Sequence, residues 1–134
     1  MTDKIFDLLG DFLKNNGIEG LDLKKITESL PLEEIMAMLT GNDEYVVKRS
    51  GGVEKYKEDK LSRSIKNAAD RAGMQLNTSD VSIILKSISD RLFHGDDKRL
   101  TETTEVRDIV LDVLAKEGYS KIRDAYEAYA KDQN

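Results

Sequence analysis

Residues 45–56 read Tyr45-Val46-Val47-Lys48-Arg49-Ser50-Gly51-Gly52-Val53-Glu54-Lys55-Tyr56, and the fold turns on this stretch. Tyr45–Arg49 and Val53–Tyr56 are β-prone, with Ser50-Gly51-Gly52 between them. Two short β-prone runs about a glycine pair predict a hairpin. Downstream the period changes from two to 3.6. Leu61, Ile65, Ala68 and Ala69 share one face of a helix expected over 58–72. A second helix is expected from Ser79 or Asp80, as cap, to about Phe93, with Val81, Ile84, Leu85, Ile88 and Leu92 inward. A third starts at Thr103 or Thr104 and closes at Gly118, with Val106, Ile109, Val110, Val113 and Leu114 inward. The last runs from Tyr119 to about Lys131 on Ile122, Ala125, Tyr126 and Tyr129.

Upstream of the hairpin the pattern is also helical. Ile5, Phe6, Leu8, Leu9, Phe12 and Leu13 place a helix over 3–14 that Asn15-Asn16-Gly17 stops. A short helix is expected over 21–30. Another runs from about Leu32, behind Pro31, to Thr40, with Glu33 and Glu34 in the first turn, where acids favour the helix dipole. The expected fold is therefore mainly α with a small β-hairpin (α+β): a helical bundle capped by the hairpin and preceded by two or three short helices.

Charge divides the chain in the same place. Residues 1–44 hold 4 lysines against 10 acids, and residues 45–134 hold 17 lysines and arginines against 16 acids. The sequence-based division is thus an acidic helical segment over 1–44 and a second domain over 45–134. The chain has 134 residues, no cysteine and one histidine, His94. That composition excludes disulfides, zinc ribbons, cysteine nucleophiles and histidine-based metal sites. A net charge of -5 disfavours nucleic acid as a direct partner. The absence of a membrane-length apolar run and of a signal-peptide pattern leads us to expect a soluble, cytoplasmic protein.

Chemistry concentrates at the hairpin. Lys48, Arg49, Lys55, Lys57, Lys60, Arg63 and Lys66 fall within residues 48–66, diluted by Glu54, Glu58 and Asp59. Glycines let backbone approach a ligand, lysine supplies a point charge, arginine supplies a fork matched to phosphate oxygens, and a following helix N-terminus suits anions. Those parts would hold a polyphosphate. A solvated basic hairpin with no ligand has the same composition, and neither GxxxxGK[ST] nor GxGxxG is present.

The segment Val46 to Tyr56 resembles the opening of the ATP-cone family, in which a strand ending in Lys-Arg turns at glycine into a second strand bearing Glu. The likeness continues through Asp59-Lys60-Leu61, through Thr103-Thr104-Glu105-Val106, and through Arg123-Asp124-Ala125-Tyr126, in order over about 90 residues. The resemblance implies a module that binds ATP or dATP, as at the N-terminus of many ribonucleotide reductases and in the zinc-ribbon repressor of their genes. It implies that Val46 lines the base pocket and that Lys48 and Arg49 meet phosphates or the base edge. It also implies that Glu54 faces the ligand, that Lys60 reaches the phosphates, and that Thr103 and Lys131 contact the nucleotide from later helices. Two positions depart from the family pattern: Lys57 stands where Asp or Asn is frequent, and Ser50 where Asp is frequent. Lysine at position 57 either forfeits a helix cap or base interaction or supplies an additional cation for phosphate.

The expected function is that of a non-enzymatic ATP or dATP sensor, with Mg²⁺ accompanying the phosphates. Binding would change self-association or the docking of a protein partner on residues 1–44, and so regulate ribonucleotide reduction or its genes. The alternative is a degenerate cone that acts as an interaction adaptor or transcription co-regulator. A small ATP-using enzyme is disfavoured because nothing resembles a catalytic base. Residues 1–44 read equally as a helical cap over the cone or as a docking module. His94, Asp96 and Asp97 read as a solvated turn, and Tyr126 and Tyr129 as helix packing.

Overall fold

The structure, a computed structural model, describes the backbone of residues 2–94 and 98–133 and the side chains of 4–94 and 98–129. The readings of Asp96 and Asp97 and of the Lys131 side chain fall outside the described residues. The fold is mainly α with a small β part. In chain order the elements are α1 (Thr2–Asn15), α2 (Leu23–Ser29), α3 (Leu32–Thr40), β1 (Tyr45–Val47), β2 (Val53–Lys55), α4 (Glu58–Arg71), α5 (Thr78–Leu92), β3 (Leu100–Glu102), α6 (Thr103–Lys116) and α7 (Ser120–Gln133). Compactness divides the chain into two units. One comprises Met1–Tyr56 and Phe93–Thr104; the other comprises Lys57–Leu92 and Glu105–Asn134.

The first unit is built on a three-stranded sheet of order β2-β1-β3. The hairpin forms as expected, with β1 antiparallel to β2 and Val46 opposite Glu54. The third strand was not expected: β3 runs parallel to β1, pairing Val46 with Thr101. All three residues of β1 are buried, as suits a strand with neighbours on both edges. Residues 1–44 cover the Tyr45 and Val47 face. Leu9, Leu13, Ile18, Ile26 and Met38 share a core with Tyr45, Val47 and Leu100 from one face of the sheet. The compact unit thus runs across residue 44.

Asn16 joins α1 to this sheet. The helix ends as Asn15-Asn16-Gly17 predicts, with Gly17 at φ 75°. The Asn16 side chain, only 5% exposed, does more than stop it. Its amide donates to the Phe12 carbonyl at 2.7 Å, and its Oδ1 accepts from the backbone N–H of Arg99 at 2.7 Å and of Leu100 at 3.0 Å. One side-chain oxygen here does the work of a neighbouring strand's carbonyl. Arg99 also lies over the Phe12 ring, its guanidinium carbon 5.1 Å from the ring centre, and donates to the Asp43 carbonyl. Tyr56 and Phe93 meet edge to face at 5.0 Å.

The second unit is helical. Leu61, Ile65, Ala68 and Ala69 of α4 are buried as the spacing predicts. Ala68 and Ala69 keep that face small, and α4 packs most extensively on α7, whose Ile122 is fully buried. Arg71 lies 4.9 Å above the Tyr129 ring, a cation–π interaction within α4–α7 packing. Asn77, rather than Ser79 or Asp80, caps α5. Its Oδ1 accepts from Asp80 N–H at 2.7 Å, and Asp80 returns a bond to Asn77 N–H at 3.3 Å. This reciprocal box starts the helix at Thr78 and uses Asp80 as its third residue. On α6, Asp112 pairs with Arg91 at 2.5 Å and Lys116 at 3.1 Å. The Arg91 hydrogen bond, then that of Lys116, holds its carboxyl below the ordinary 3.8.

Candidate functional site

The hairpin turn is a three-residue loop. Lys48 N–H donates to the Gly52 carbonyl at 2.8 Å, and the Lys48 carbonyl accepts from Gly51 N–H at 2.9 Å. Gly51 sits at φ 97°, the positive-φ position that closes such a loop into its return strand. The same glycine is pressed against α2. A Cβ there would come within 2.6 Å of the Lys25 Cβ, 3.0 Å of its carbonyl carbon and 3.2 Å of the Ile26 nitrogen. Ser29 Oγ donates to the Gly51 carbonyl at 3.0 Å from the end of the same helix. Gly51→Ala therefore combines left-handed strain with overlap against backbone. It is expected to cost about 2–4 kcal/mol of stability, read from the urea midpoint. A midpoint equal to wild type would show that the turn yields without cost.

Strand alternation sorts the candidate residues by face. Tyr45 and Val47 point into the core shared with α1–α3. Val46 lies on the opposite face, flanked by Glu54 on β2 and Thr101 on β3. Lys48 continues on the Val46 face. It is exposed and makes no ion pair among the described residues. Lys48, Val46, Glu54 and Thr101 thus set a cation beside an apolar patch, a carboxylate and a fully buried hydroxyl-bearing side chain. Thr101 was missed from the sequence because its strand was missed.

Arg49 is placed differently from Lys48. Its guanidinium pairs with Glu102 at 3.4 Å and donates to the Glu19 carbonyl at 3.2 Å. Glu102 lies opposite Val47 in register, so this pairing is on the α1–α3 face. Lys55, opposite Tyr45, pairs with Asp43 at 3.2 Å. The hydrogen bond and charge of Asp43 raise the Lys55 pKa.

The remaining candidates start helices. Thr103 is the first residue of α6, directly after β3, and is half-buried. Lys57 precedes α4 with no side-chain capping bond, and Lys60 lies in the first turn of that helix. Both belong to the second unit, whereas Val46, Lys48, Arg49, Glu54 and Thr103 belong to the first. The exposed Lys57 has only a donor, so it cannot accept from the α4 N–H groups as Asp or Asn would. Among the described residues no group of three or more His, Cys, Asp or Glu could hold a metal ion.

The family profile of the ATP cone domain matches residues 44–134. The chain belongs to the ATP-cone family. ATP cones are nucleotide-binding regulatory domains, not catalytic ones, and their ligand is ATP or dATP. In this ATP cone the match opens at Glu44, directly before β1, and takes in the hairpin, β3 and α4–α7. The helices α1–α3 precede it. Among curated proteins none matches the chain. No helix among the described residues is long and apolar enough to cross a membrane.

Proposed function

We propose that this chain is a non-enzymatic sensor of ATP or dATP whose ligand lies on the sheet face that carries Val46. The supporting observation is the row Glu54–Val46–Thr101 with Lys48 at its end. The small exposed edge of Val46 (9%) meets the base, and Glu54 accepts from a base amino or ribose hydroxyl group. The Lys48 ammonium meets a phosphate. The family resemblance adds Lys57, Lys60, Thr103 and Lys131 as residues expected to contact the nucleotide, with Mg²⁺ as counter-ion of the phosphates. In sequence the cone over 45–134 is preceded by an acidic segment over 1–44, which shares a core with β1 and β3 and passes the cone's state to a second copy or a protein partner in the cytoplasm. Ribonucleotide reduction, or control of its genes, is the process served.

Binding and its consequence are measured together by calorimetry and by light scattering with and without ATP and dATP. The expected result is heat with at least one nucleotide and a change in mass with the same one. A ligand shifts assembly only where the two states bind it differently. Constant mass at proven saturation would remove the assembly switch from the proposal.

One observation favours a second reading, a degenerate cone acting as an adaptor or co-regulator. Arg49 is engaged by Glu102 and the Glu19 carbonyl instead of standing beside Lys48. Absence of heat with ATP, dATP, ADP and GTP would support a degenerate cone.

A further inference from the structure

The contacts around the hairpin turn have a shared origin. Behind the turn, residues 17–30 hold it at three points within the first unit. The Glu19 carbonyl accepts from Arg49, Ser29 donates to the Gly51 carbonyl, and Lys25 abuts Gly51. The Ser29 hydroxyl is shared with the Ile26 carbonyl at 2.9 Å, and the approach of Lys25 to the buried Gly51 is fixed by packing. The third is not: the Arg49 side chain is 61% exposed, while its partner Glu102 is 16% exposed. An exposed guanidinium held by one carbonyl and one carboxylate is weakly bound. It is also the type of group that a polyphosphate competes for, by a two-pronged, charge-assisted interaction.

We propose that Arg49 is a latch between the hairpin and the N-terminal segment, closed on Glu19 and Glu102 without nucleotide and drawn off them by the phosphates of a bound one. The inference rests on the nucleotide reading above and adds the route by which the ligand reaches residues 1–44. When Arg49 leaves, the Glu19 carbonyl loses its donor, and the connection between α1 and α2 loses its one tie to the turn, leaving the two from α2. Glu102 loses its counter-charge at the same moment, which favours closure, so the open state lasts only while the phosphates hold Arg49. Linkage requires the converse: weakening the latch improves nucleotide affinity.

Hydrogen exchange of the full chain, with and without saturating ATP or dATP, tests this, with occupancy fixed separately by calorimetry. In wild type, peptides spanning 17–30 should exchange several-fold faster when nucleotide is bound. Glu102→Gln should raise that exchange without nucleotide and tighten binding by about two- to fivefold, the range of one exposed ion pair. Arg49→Lys keeps the charge but not the fork. It should show fast exchange in 17–30 from the outset and no further rise at saturation. Unchanged or slower exchange in 17–30 at proven saturation of wild type would overturn the latch and leave the nucleotide reading standing. Absence of binding heat would overturn both. Circular dichroism equal to wild type would show that the substitutions at exposed Arg49 and half-buried Glu102 leave the fold intact.

Discussion

Lys48→Ala is expected to weaken ATP and dATP binding by roughly tenfold to a hundredfold. A charge-assisted hydrogen bond contributes about 1.5–3 kcal/mol, and each 1.4 kcal/mol is a factor of ten. Lys48 is exposed and without an ion pair among the described residues, so alanine breaks nothing inside the first unit. The loss should therefore appear in affinity and not in the urea midpoint. Lys48→Arg should retain most of the affinity, since both side chains carry the charge. Added salt should shrink the gap between wild type and alanine as screening increases. Isothermal titration at two salt concentrations measures all of this. Equal affinity for wild type and Lys48→Ala would remove the Val46 face from the binding site.

Asn16→Leu is expected to have the largest effect on stability, a loss of about 3–5 kcal/mol, with a fall in melting temperature on the order of 10 °C. Asn16 is buried, and its Oδ1 is the acceptor for the N–H groups of both Arg99 and Leu100. Leucine has similar bulk but no acceptor. Two backbone donors then lose their partner, and the Leu100 one lies in buried surroundings, each such loss costing about 1–3 kcal/mol. The neighbouring Asn15 is exposed, and Asn15→Ala should stay within about 0.5 kcal/mol. Amide exchange at Leu100 locates the damage. Stability of Asn16→Leu within about 1 kcal/mol of wild type would mean that water replaces the amide at no cost.

The helices were legible in the sequence because each keeps its apolar residues on one face. Leu61, Ile65, Ala68 and Ala69 are buried as their spacing requires. Helix starts were less legible. The box on α5 needs Asn77 and Asp80 together, and Asp80 read by itself suggests a cap three residues too late. The third strand had little local signal, since Leu100-Thr101-Glu102 is three residues long and pairs in parallel, with no turn to announce it. The available clue lay elsewhere: Tyr45-Val46-Val47 is an unbroken apolar run, which suits a central strand better than the edge of a hairpin. At the candidate site, Lys48 and Arg49 are adjacent in sequence and chemically alike. Only strand alternation and the positions of Glu19 and Glu102 set their surroundings apart, and neither acid is close to Arg49 in sequence.

The first unit is discontinuous in sequence, since Phe93–Thr104 returns to it after α4 and α5. During translation the ribosome delivers α1–α3 and the hairpin well before β3. Until then the Asn16 carboxamide has no strand to receive, and β1 has an open edge. Pairing across so long a stretch of chain carries the loop-closure cost that slows non-local folding. The nascent N-terminal half must therefore wait, partly formed, for two intervening helices to be synthesised. A product terminated before Leu100 would present the uncovered strand to other chains as a template for aggregation.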